Sequence, residues 1–219
     1  MHSPHKFKNR SEAGQLLGER LGYLASDRPV VLGLPRGGVP VAFEVARALA
    51  SPLDVLVVRK LGVPLQPELA FGAIGEDDAQ VLNTQLVQLL GLSRDTIAEV
   101  ARRERAELIR RAELYRGNRI ALALIGRTVA IVDDGLATGA TARVAVEVAR
   151  ARGAKRIIIA VPVAPREAIA ELKLWTDEVI CLHLPTQFQA VGEWYEDFDQ
   201  ITDDEVTSLL RKSSNTDKL

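Results

Sequence analysis

Hydrophobic residues along this chain are concentrated in short runs, and polar segments of helical periodicity separate most of these runs. Runs without polar alternation are typical of strands buried on both faces of a parallel sheet. Five such runs cover 29–34, 53–58, 129–132, 156–164 and 177–183. Helical patterns follow three of them, at 41–49, 144–150 and 166–174. This alternation predicts an α/β fold in which right-handed crossovers place helices on both faces of a parallel sheet.

Capping patterns predict one helix near each end of the chain. Asn9 is a candidate N-cap for a helix over Ser11 to Ala25. Thr202 and Glu205 form a capping box before a last helix. We therefore expect a single domain over residues 1–212 and a disordered tail over 213–219.

A helical insert is predicted at about 84–118, between the second strand and the third. A short helix spans Thr84 to Leu90, and Ser93 caps a long one from Arg94 to Tyr115. Acidic and basic residues interleave on the long helix, which is typical of a solvated surface rather than a nucleic-acid site. The insert could cover a functional site or form a dimer interface. The apolar run 120–125 is compatible with either helix or strand.

The composition is that of an ordinary globular protein, with 47% hydrophobic and 26% charged residues. The net charge of −1 does not indicate a nucleic-acid or membrane surface. The single cysteine, Cys181, excludes an intramolecular disulfide and lies in an apolar run that predicts a core position. The sequence has no run of membrane-spanning length and no signal-peptide pattern, so we expect a cytoplasmic protein. His2, His5 and His183 are too scattered to predict a metal site.

The strongest chemical signal follows the run 129–132, where Asp133 and Asp134 precede a loop of small and hydroxyl residues. The loop comprises Ala137, Thr138, Gly139, Ala140 and Thr141, and a helix follows it. Backbone amides at a helix start favour an anion, and the carboxylates suit the hydroxyls of a diol and a hydrated Mg²⁺. This is not the P-loop of nucleoside triphosphatases, whose Gly-Lys pattern is absent from the sequence. The alternative is a plain strand-turn-helix connection with surface aspartates.

Two further segments predict sites for a second anion. Arg36, Gly37 and Gly38 lie between a predicted strand and a helix, where backbone amides and a guanidinium can bind an anion. Arg59 and Lys60 end what we interpret as a central strand, on the same side as the two aspartates, unless they are only a solvated strand end. Glycine and proline predict an irregular loop over 62–78, with a short strand at 69–74. Glu68 and Glu76 are the polar residues of that loop expected to face a ligand.

The segment 183–203 is rich in aromatic residues, including Phe188, Trp194, Tyr195 and Phe198. These rings could pack into the core beneath a terminal loop. Alternatively they could form a stacking surface for a planar base, with Trp194 and Tyr195 as the first candidates. The sequence pattern leaves both interpretations open.

The acidic motif, the Arg-Gly-Gly loop and the Arg-Lys pair occur in the order found in type I phosphoribosyltransferases, which this chain resembles from about Pro29 to Leu182. The resemblance implies a Rossmann-like fold, a mobile loop within about 62–78 and a C-terminal hood at about 183–203, whereas the predicted helical insert is long for the family's core. It implies that Asp133 and Asp134 hold ribose hydroxyls and, through water or those hydroxyls, Mg²⁺. Substrate would be bound by Arg36, Gly37, Gly38 and the loop 137–141, while Arg59 and Lys60 would face the diphosphate. Ala137 departs from the family pattern, which often has a threonine at that position.

The implied activity is transfer of a phosphoribosyl group from 5-phosphoribosyl-1-pyrophosphate to a nitrogenous acceptor, a nucleobase, with release of pyrophosphate. Asp133, Asp134, Arg59 and Lys60 would be the catalytic residues, Trp194 and Tyr195 would contact the acceptor, and Asp134 is the candidate to accept its proton. The implied assembly is a homodimer that acts on small molecules and binds neither nucleic acid nor membrane. An alternative is a sensor or regulator on the same fold that binds the nucleotide without catalysis. A sugar-phosphate hydrolase is a third possibility, but the sequence offers no Ser-His-Asp or Cys-His set and no obvious nucleophile for it.

Overall fold

The structure is a computed structural model that describes residues 6–64 and 66–216. Its strands are β1 (Val30–Gly33), β2 (Leu53–Val55), β3 (Arg59–Val63), β4 (Gln66–Ile74), β5 (Gln80–Leu82), β6 (Thr128–Val132), β7 (Arg156–Val163) and β8 (Glu178–His183). Its α-helices are α1 (Arg10–Arg20), α2 (Gly38–Ala48), α3 (Thr84–Leu89), α4 (Arg94–Arg116), α5 (Ala140–Ala151), α6 (Arg166–Leu172) and α7 (Asp203–Thr216). Short 3₁₀ helices cover Gly22–Asp27 and Val191–Trp194.

Five strands form a parallel sheet in the order β2-β1-β6-β7-β8. Alternate residues of the strands enter two separate hydrophobic clusters, one on each face. Val31 and Ala130 pack with residues of α1, α2, α4 and α7, whereas Leu32 and Ile131 pack with residues of α5 and α6. The predicted α/β fold with helices on both faces of a parallel sheet is therefore confirmed.

The second strand is shorter than predicted, and it is an edge strand rather than a central one. β2 ends at Val55, and Arg59 and Lys60 begin β3, which belongs to a different sheet. Leu56 and Val57 remain buried although they lie outside the strand. Because burial continues past the end of strand pairing, the apolar run alone did not reveal where β2 stops.

A three-stranded antiparallel sheet, in the order β3-β4-β5, replaces most of the irregular loop predicted over 62–78. The prediction was wrong because the glycines are accommodated within the strands. Gly62 lies at a bulge in the β3–β4 pairing. A Cβ atom on Gly72 would lie 2.5 Å from the carbonyl oxygen of Val81, so this glycine permits close strand packing. The predicted short strand 69–74 lies within β4.

The helical insert is confirmed as α3 and α4, and the predicted Ser93 cap accepts a hydrogen bond from the Thr96 amide at 3.1 Å. Arg116, at the end of α4, is buried against Asp54 at 2.7 Å and also pairs with Glu76. Glu76 therefore serves to hold the insert in place, and the expectation that it faces a ligand is wrong. The side chain of Glu68 lies outside what the structure describes.

The terminal helices differ from their predictions mainly in length. α1 has the predicted Asn9 cap, with the Glu12 amide 3.0 Å from Asn9 Oδ1, but it ends at Arg20. α7 has the predicted capping box and continues to Thr216, so the expected disorder is wrong for 213–216. Residues 217–219, His2 and His5 lie outside the described part of the chain. No helix within 6–64 and 66–216 is long and apolar enough to cross a membrane.

Candidate functional site

The acidic pair and the Arg-Gly-Gly loop lie against each other at the carboxyl ends of β1 and β6. These strands are adjacent and pair in parallel, with Gly33 opposite Val132. A Cβ atom on Gly38 would lie 2.6 Å from the Val132 carbonyl oxygen and 2.8 Å from Asp133 Cα. One on Gly37 would overlap the carboxylate of Asp134. Two motifs that are distant in sequence therefore form one site. It lies at the carboxyl ends of the parallel strands, where ligands commonly bind in such sheets.

Both carboxyl groups of the pair are largely withdrawn from water. The Asp134 side chain is 14% exposed, and the Asp133 Oδ1 atom accepts a hydrogen bond from the Asp134 amide at 2.9 Å. Burial, together with the adjacent Asp134 carboxylate, raises the pKa of Asp133 well above its usual range. Burial also raises the pKa of Asp134, although its hydrogen bond with Arg10 opposes the shift. Two carboxyl groups on consecutive residues of the site are suited to bind hydroxyl or cationic partners.

Arg10 is a site residue that the sequence did not predict. Its Nε atom lies 2.8 Å from Asp134 Oδ2, and its Nη1 atom donates to the carbonyl oxygen of Asp199 at 2.8 Å. Its guanidinium carbon lies 3.9 Å from the centre of the Phe198 ring. Because 124 positions separate Arg10 from Asp134, no sequence pattern relates them.

The predicted phosphate loop is open to solvent. Gly139 has φ +73° and precedes the first residue of α5, while Ala137, Thr138 and Thr141 are exposed. The Ala140 amide donates to Thr138 Oγ1 at 3.3 Å. A cavity of about 750 Å³ adjoins the loop and is lined in part by Thr138, Ala140 and Lys60. The helix start and the hydroxyl groups are therefore accessible to an anion.

The basic pair lies beside the same helix start, although it belongs to the antiparallel sheet. A smaller cavity of about 320 Å³ is lined by Arg59, Lys60, Thr141 and two residues of α4, Arg103 and Glu104. Lys60 is exposed, whereas Arg59 donates twice to Glu104 Oε2, at 2.6 and 2.9 Å. The structure thus brings the predicted cations to the phosphate loop and reveals a carboxylate partner for one of them.

Arg36 is the third predicted cation, and it also lies near a carboxylate. Its Nη1 atom is 3.9 Å from Asp203 Oδ1, at the start of α7, and its side chain is 39% exposed. The hydroxyl of Tyr115 donates to the same Asp203 oxygen at 2.9 Å. The peptide bond before Arg36 is cis. Helix α7 thus lies beside the Arg-Gly-Gly loop, and α4 contacts the same residue of α7, Asp203.

The aromatic rings after β8 pack into the protein. Tyr195 is 3% exposed, contacts Phe7 and Phe198, and donates its hydroxyl hydrogen to the carbonyl oxygen of Asp134 at 2.6 Å. Its ring is therefore not a free stacking surface, and core packing is the better interpretation for it. Trp194 is partly buried, with its ring centre 6.2 Å from that of His183. Within the described residues its Nε1 atom is buried without a hydrogen-bond partner.

Comparison with protein families decides the assignment. The model of the phosphoribosyl transferase domain matches residues 8–197. The chain belongs to this family. The phosphoribosyl transferase domain covers the parallel sheet, the acidic pair and most of the predicted hood, which confirms the resemblance recognised in the sequence.

Individual relatives agree with the family assignment. Curated Mycobacterium tuberculosis proteins from strains CDC 1551 and H37Rv, which carry the provisional name phosphoribosyl transferase, are 53% identical over 207 residues. The match covers 94% of this chain and 47% of each relative, so the chain spans about half their length. The crystal structure of the TT1426 protein from Thermus thermophilus is 45% identical, with a TM-score of 0.87 over 94% of this chain and 98% of that one.

Proposed function

We propose that this protein transfers a phosphoribosyl group from 5-phosphoribosyl-1-pyrophosphate to a nitrogenous acceptor, a nucleobase or a similar ring, and releases pyrophosphate. The observation that carries this proposal is the packing of Gly37 and Gly38 directly against Asp133 and Asp134. It joins an acidic diol site to an amide-rich anion site. The family assignment supports the reaction class.

Different residues of the site would bind different parts of the substrate. The hydroxyls and amides of 137–141 would bind the 5-phosphate, and the acidic pair would bind the ribose hydroxyls. Arg36 and Lys60 would offset the negative charge that grows on the leaving diphosphate, which is the main electrostatic task in such a transfer. The carboxylates would also stabilise positive charge developing on the ribose ring.

A Mg²⁺ ion fits this site only if it arrives with the substrate. Within residues 6–64 and 66–216, no group of three or more His, Cys, Asp or Glu side chains is placed to hold a metal ion. Mg²⁺ is commonly held by one or two carboxylates together with substrate phosphates and water. Asp133 and Asp134 meet that requirement through water or ribose hydroxyls. When bound, the ion would neutralise charge on the diphosphate.

Asp134 is our candidate to accept the proton of the acceptor, although its Oδ2 atom already accepts a hydrogen bond from Arg10. Proton transfer would therefore use Oδ1. Asp134→Asn removes the base and keeps the size of the side chain. We expect kcat to fall by about 100-fold or more, within the range of general base catalysis. A normal kcat with only a raised KM would refute the proton role.

Calorimetry with 5-phosphoribosyl-1-pyrophosphate, with and without Mg²⁺, tests the proposal directly. We expect saturable binding that weakens when Mg²⁺ is withheld or when Asp133 is replaced by Asn. A screen of nucleobases and related heterocycles for pyrophosphate release would then identify the acceptor class. Absence of binding by the unaltered protein would refute both the activity and the sensor alternative.

A sensor that binds the nucleotide without catalysis is the second candidate. It is favoured by one observation, that Arg59 and Arg36 each lie near a carboxylate, Glu104 and Asp203. Binding without pyrophosphate release for any acceptor would support it. The expected homodimer and cytoplasmic location stay predictions, and light scattering at known concentration tests the first.

A further inference from the structure

Arg10 is held in a fixed position by three different partners. Its side chain is 10% exposed, and its Nε–Oδ2 bond to Asp134 is charge-assisted, the stronger class of hydrogen bond. A second N–H group donates to the Asp199 carbonyl oxygen, and the face of the guanidinium lies over Phe198. A side chain restrained on three sides has little freedom to leave its carboxylate partner.

The same aromatic cluster also contacts the backbone of Asp134. Phe198 stacks on Tyr195 with ring centres 5.0 Å apart, and the Tyr195 hydroxyl donates to the Asp134 carbonyl oxygen at 2.6 Å. The contacts therefore close a loop from the Asp134 carboxylate through Arg10, Phe198 and Tyr195 to the Asp134 carbonyl group. We name this set of four residues the Arg10 bridge.

The hood is also fastened to the chain segment that precedes Arg10. The Glu196 amide donates to the Phe7 carbonyl oxygen at 2.8 Å, and the Asp197 amide donates to the Lys8 carbonyl oxygen at 2.9 Å. The start of α1 and the hood therefore approach the acidic pair as one unit. The Asp134 carboxylate also lies against Gly37, where an added Cβ atom would overlap it.

We propose that Arg10 is a positioning residue that fixes the Asp134 carboxylate for the ribose hydroxyls and couples its orientation to the order of the hood. This inference rests on the proposed function for its ligand, but the coupling itself exists without any ligand. Arginine suits the task because its planar fork can donate to a carboxylate and a carbonyl group at once while its face packs on a ring. A lysine at this position offers one ammonium group and no such fork.

A double-mutant cycle without ligand tests the coupling. Amide hydrogen exchange is measured over 195–199 in the unaltered protein, in Arg10→Met, in Asp134→Ala and in the double variant. We expect each single change to accelerate exchange there by about tenfold, which corresponds to roughly 1.4 kcal/mol of local opening free energy. The double variant should exchange no faster than the faster single variant. Additive acceleration, or none, would overturn the proposal.

The same four proteins, together with Arg10→Lys, test the positioning role with ligand. If the unaltered protein binds 5-phosphoribosyl-1-pyrophosphate, Arg10→Met should weaken binding by about tenfold or more, within the range for removing a charged hydrogen bond. It should have little further effect in the Asp134→Ala background. Arg10→Lys should recover only part of the affinity. If Arg10 only stabilised the fold, Arg10→Met would lower the melting temperature. Ligand affinity would then be unchanged at temperatures where the variants are folded.

Arg47→Met provides the matched control. The exposed Arg47 pairs with Glu44 on α2, so this change removes an arginine–carboxylate pair without touching the Arg10 bridge. It should alter neither hood exchange nor binding. If the unaltered protein fails to bind, the proposed function is refuted, while the ligand-free cycle still decides the role of Arg10. Should Arg10→Met not fold, Phe198→Leu replaces it in both cycles, with the same expectations.

Discussion

Gly37 and Asp134 are in van der Waals contact, so that a side chain of any size at position 37 would overlap the carboxylate. Gly37 has φ −59° and ψ −34°, an ordinary helical conformation open to every residue. Position 37 therefore requires glycine because a side chain has no room there, and not because the backbone conformation demands it. This contact fixes the distance between the candidate diol site and the candidate diphosphate site.

Gly37→Ala should damage the site through this contact. The added methyl group must displace either the Arg36–Gly38 loop or Asp134, and such overpacking typically costs about 1–3 kcal/mol. We expect a lower free energy of unfolding in urea and loss of 5-phosphoribosyl-1-pyrophosphate binding by calorimetry.

Gly22→Ala is the control for this change, because a Cβ atom there would meet no atom within 4 Å. Its unfolding free energy should change by less than about 0.5 kcal/mol, with normal binding. Equal behaviour of the two variants would mean that the loop yields to the methyl group and that the contact does not set the site geometry.

Asp133→Asn should stabilise the protein at neutral pH. Folding raises the pKa of Asp133 through burial and the neighbouring Asp134 carboxylate. A carboxyl group with a raised pKa contributes stability below its usual pKa and loses it as pH rises through the folded value, so the ionised group is unfavourable at pH 7. The amide removes that charge and retains an oxygen for the Asp134 amide. We expect a gain of about 1 kcal/mol at pH 7.

The pH dependence distinguishes this effect from general improvement of the fold. In metal-free buffer, the stability gain of Asp133→Asn should shrink as pH falls towards the usual carboxyl range, at about pH 4. Gln15→Ser, an exposed substitution of an uncharged side chain on α1, should show no such trend. A gain that persists unchanged at low pH would contradict the assigned cause.

The sequence predicted those parts of the site whose residues are adjacent along the chain. Strand burial on both faces leaves an unbroken apolar run, so β6 and the acidic pair that follows it were recognisable, as was the Arg36–Gly38 loop. Their mutual contact follows from parallel pairing of adjacent strands. The roles of Thr138 and Trp194 stay predictions.

Other features leave no local trace in the sequence. Arg10 meets Asp134 across 124 positions, and an arginine in a first helical turn is ordinary by itself. The β3–β4 hairpin was missed because Gly62 and Gly72 were interpreted as breakers, whereas they form a bulge and a close strand contact. The sequence shows which residue types are present, but it does not show which distant residues or strands pair with one another.

Arg116→Met should be the most destabilising single change among the charged residues considered. Arg116 is 7% exposed, and its removal leaves the carboxylates of Asp54 and Glu76 without their shared partner. Breaking a buried ion pair from one side typically costs about 3–5 kcal/mol. We expect this loss in urea unfolding.

Arg110→Met, which removes a surface pair with Glu107, gives the comparison for Arg116. Its urea midpoint should stay close to that of the unaltered protein, because water and salt screen an exposed ion pair. Similar losses for the two variants would show that the buried network adds nothing beyond an exposed pair.

Glu104→Gln should strengthen the binding of anions at the basic pair. In the structure Glu104 accepts two hydrogen bonds from Arg59, which neutralises a cation beside the phosphate loop. An incoming diphosphate must compete with that carboxylate, whereas glutamine keeps an acceptor oxygen without the charge. We expect pyrophosphate to bind about threefold to tenfold more tightly, or roughly 0.7–1.4 kcal/mol, and the gain to fall as salt is raised.

Glu99→Gln, elsewhere on α4, should have no effect. Weaker binding by Glu104→Gln would instead mean that the carboxylate orients Arg59 for the ligand, so the sign of the change decides between competition and positioning.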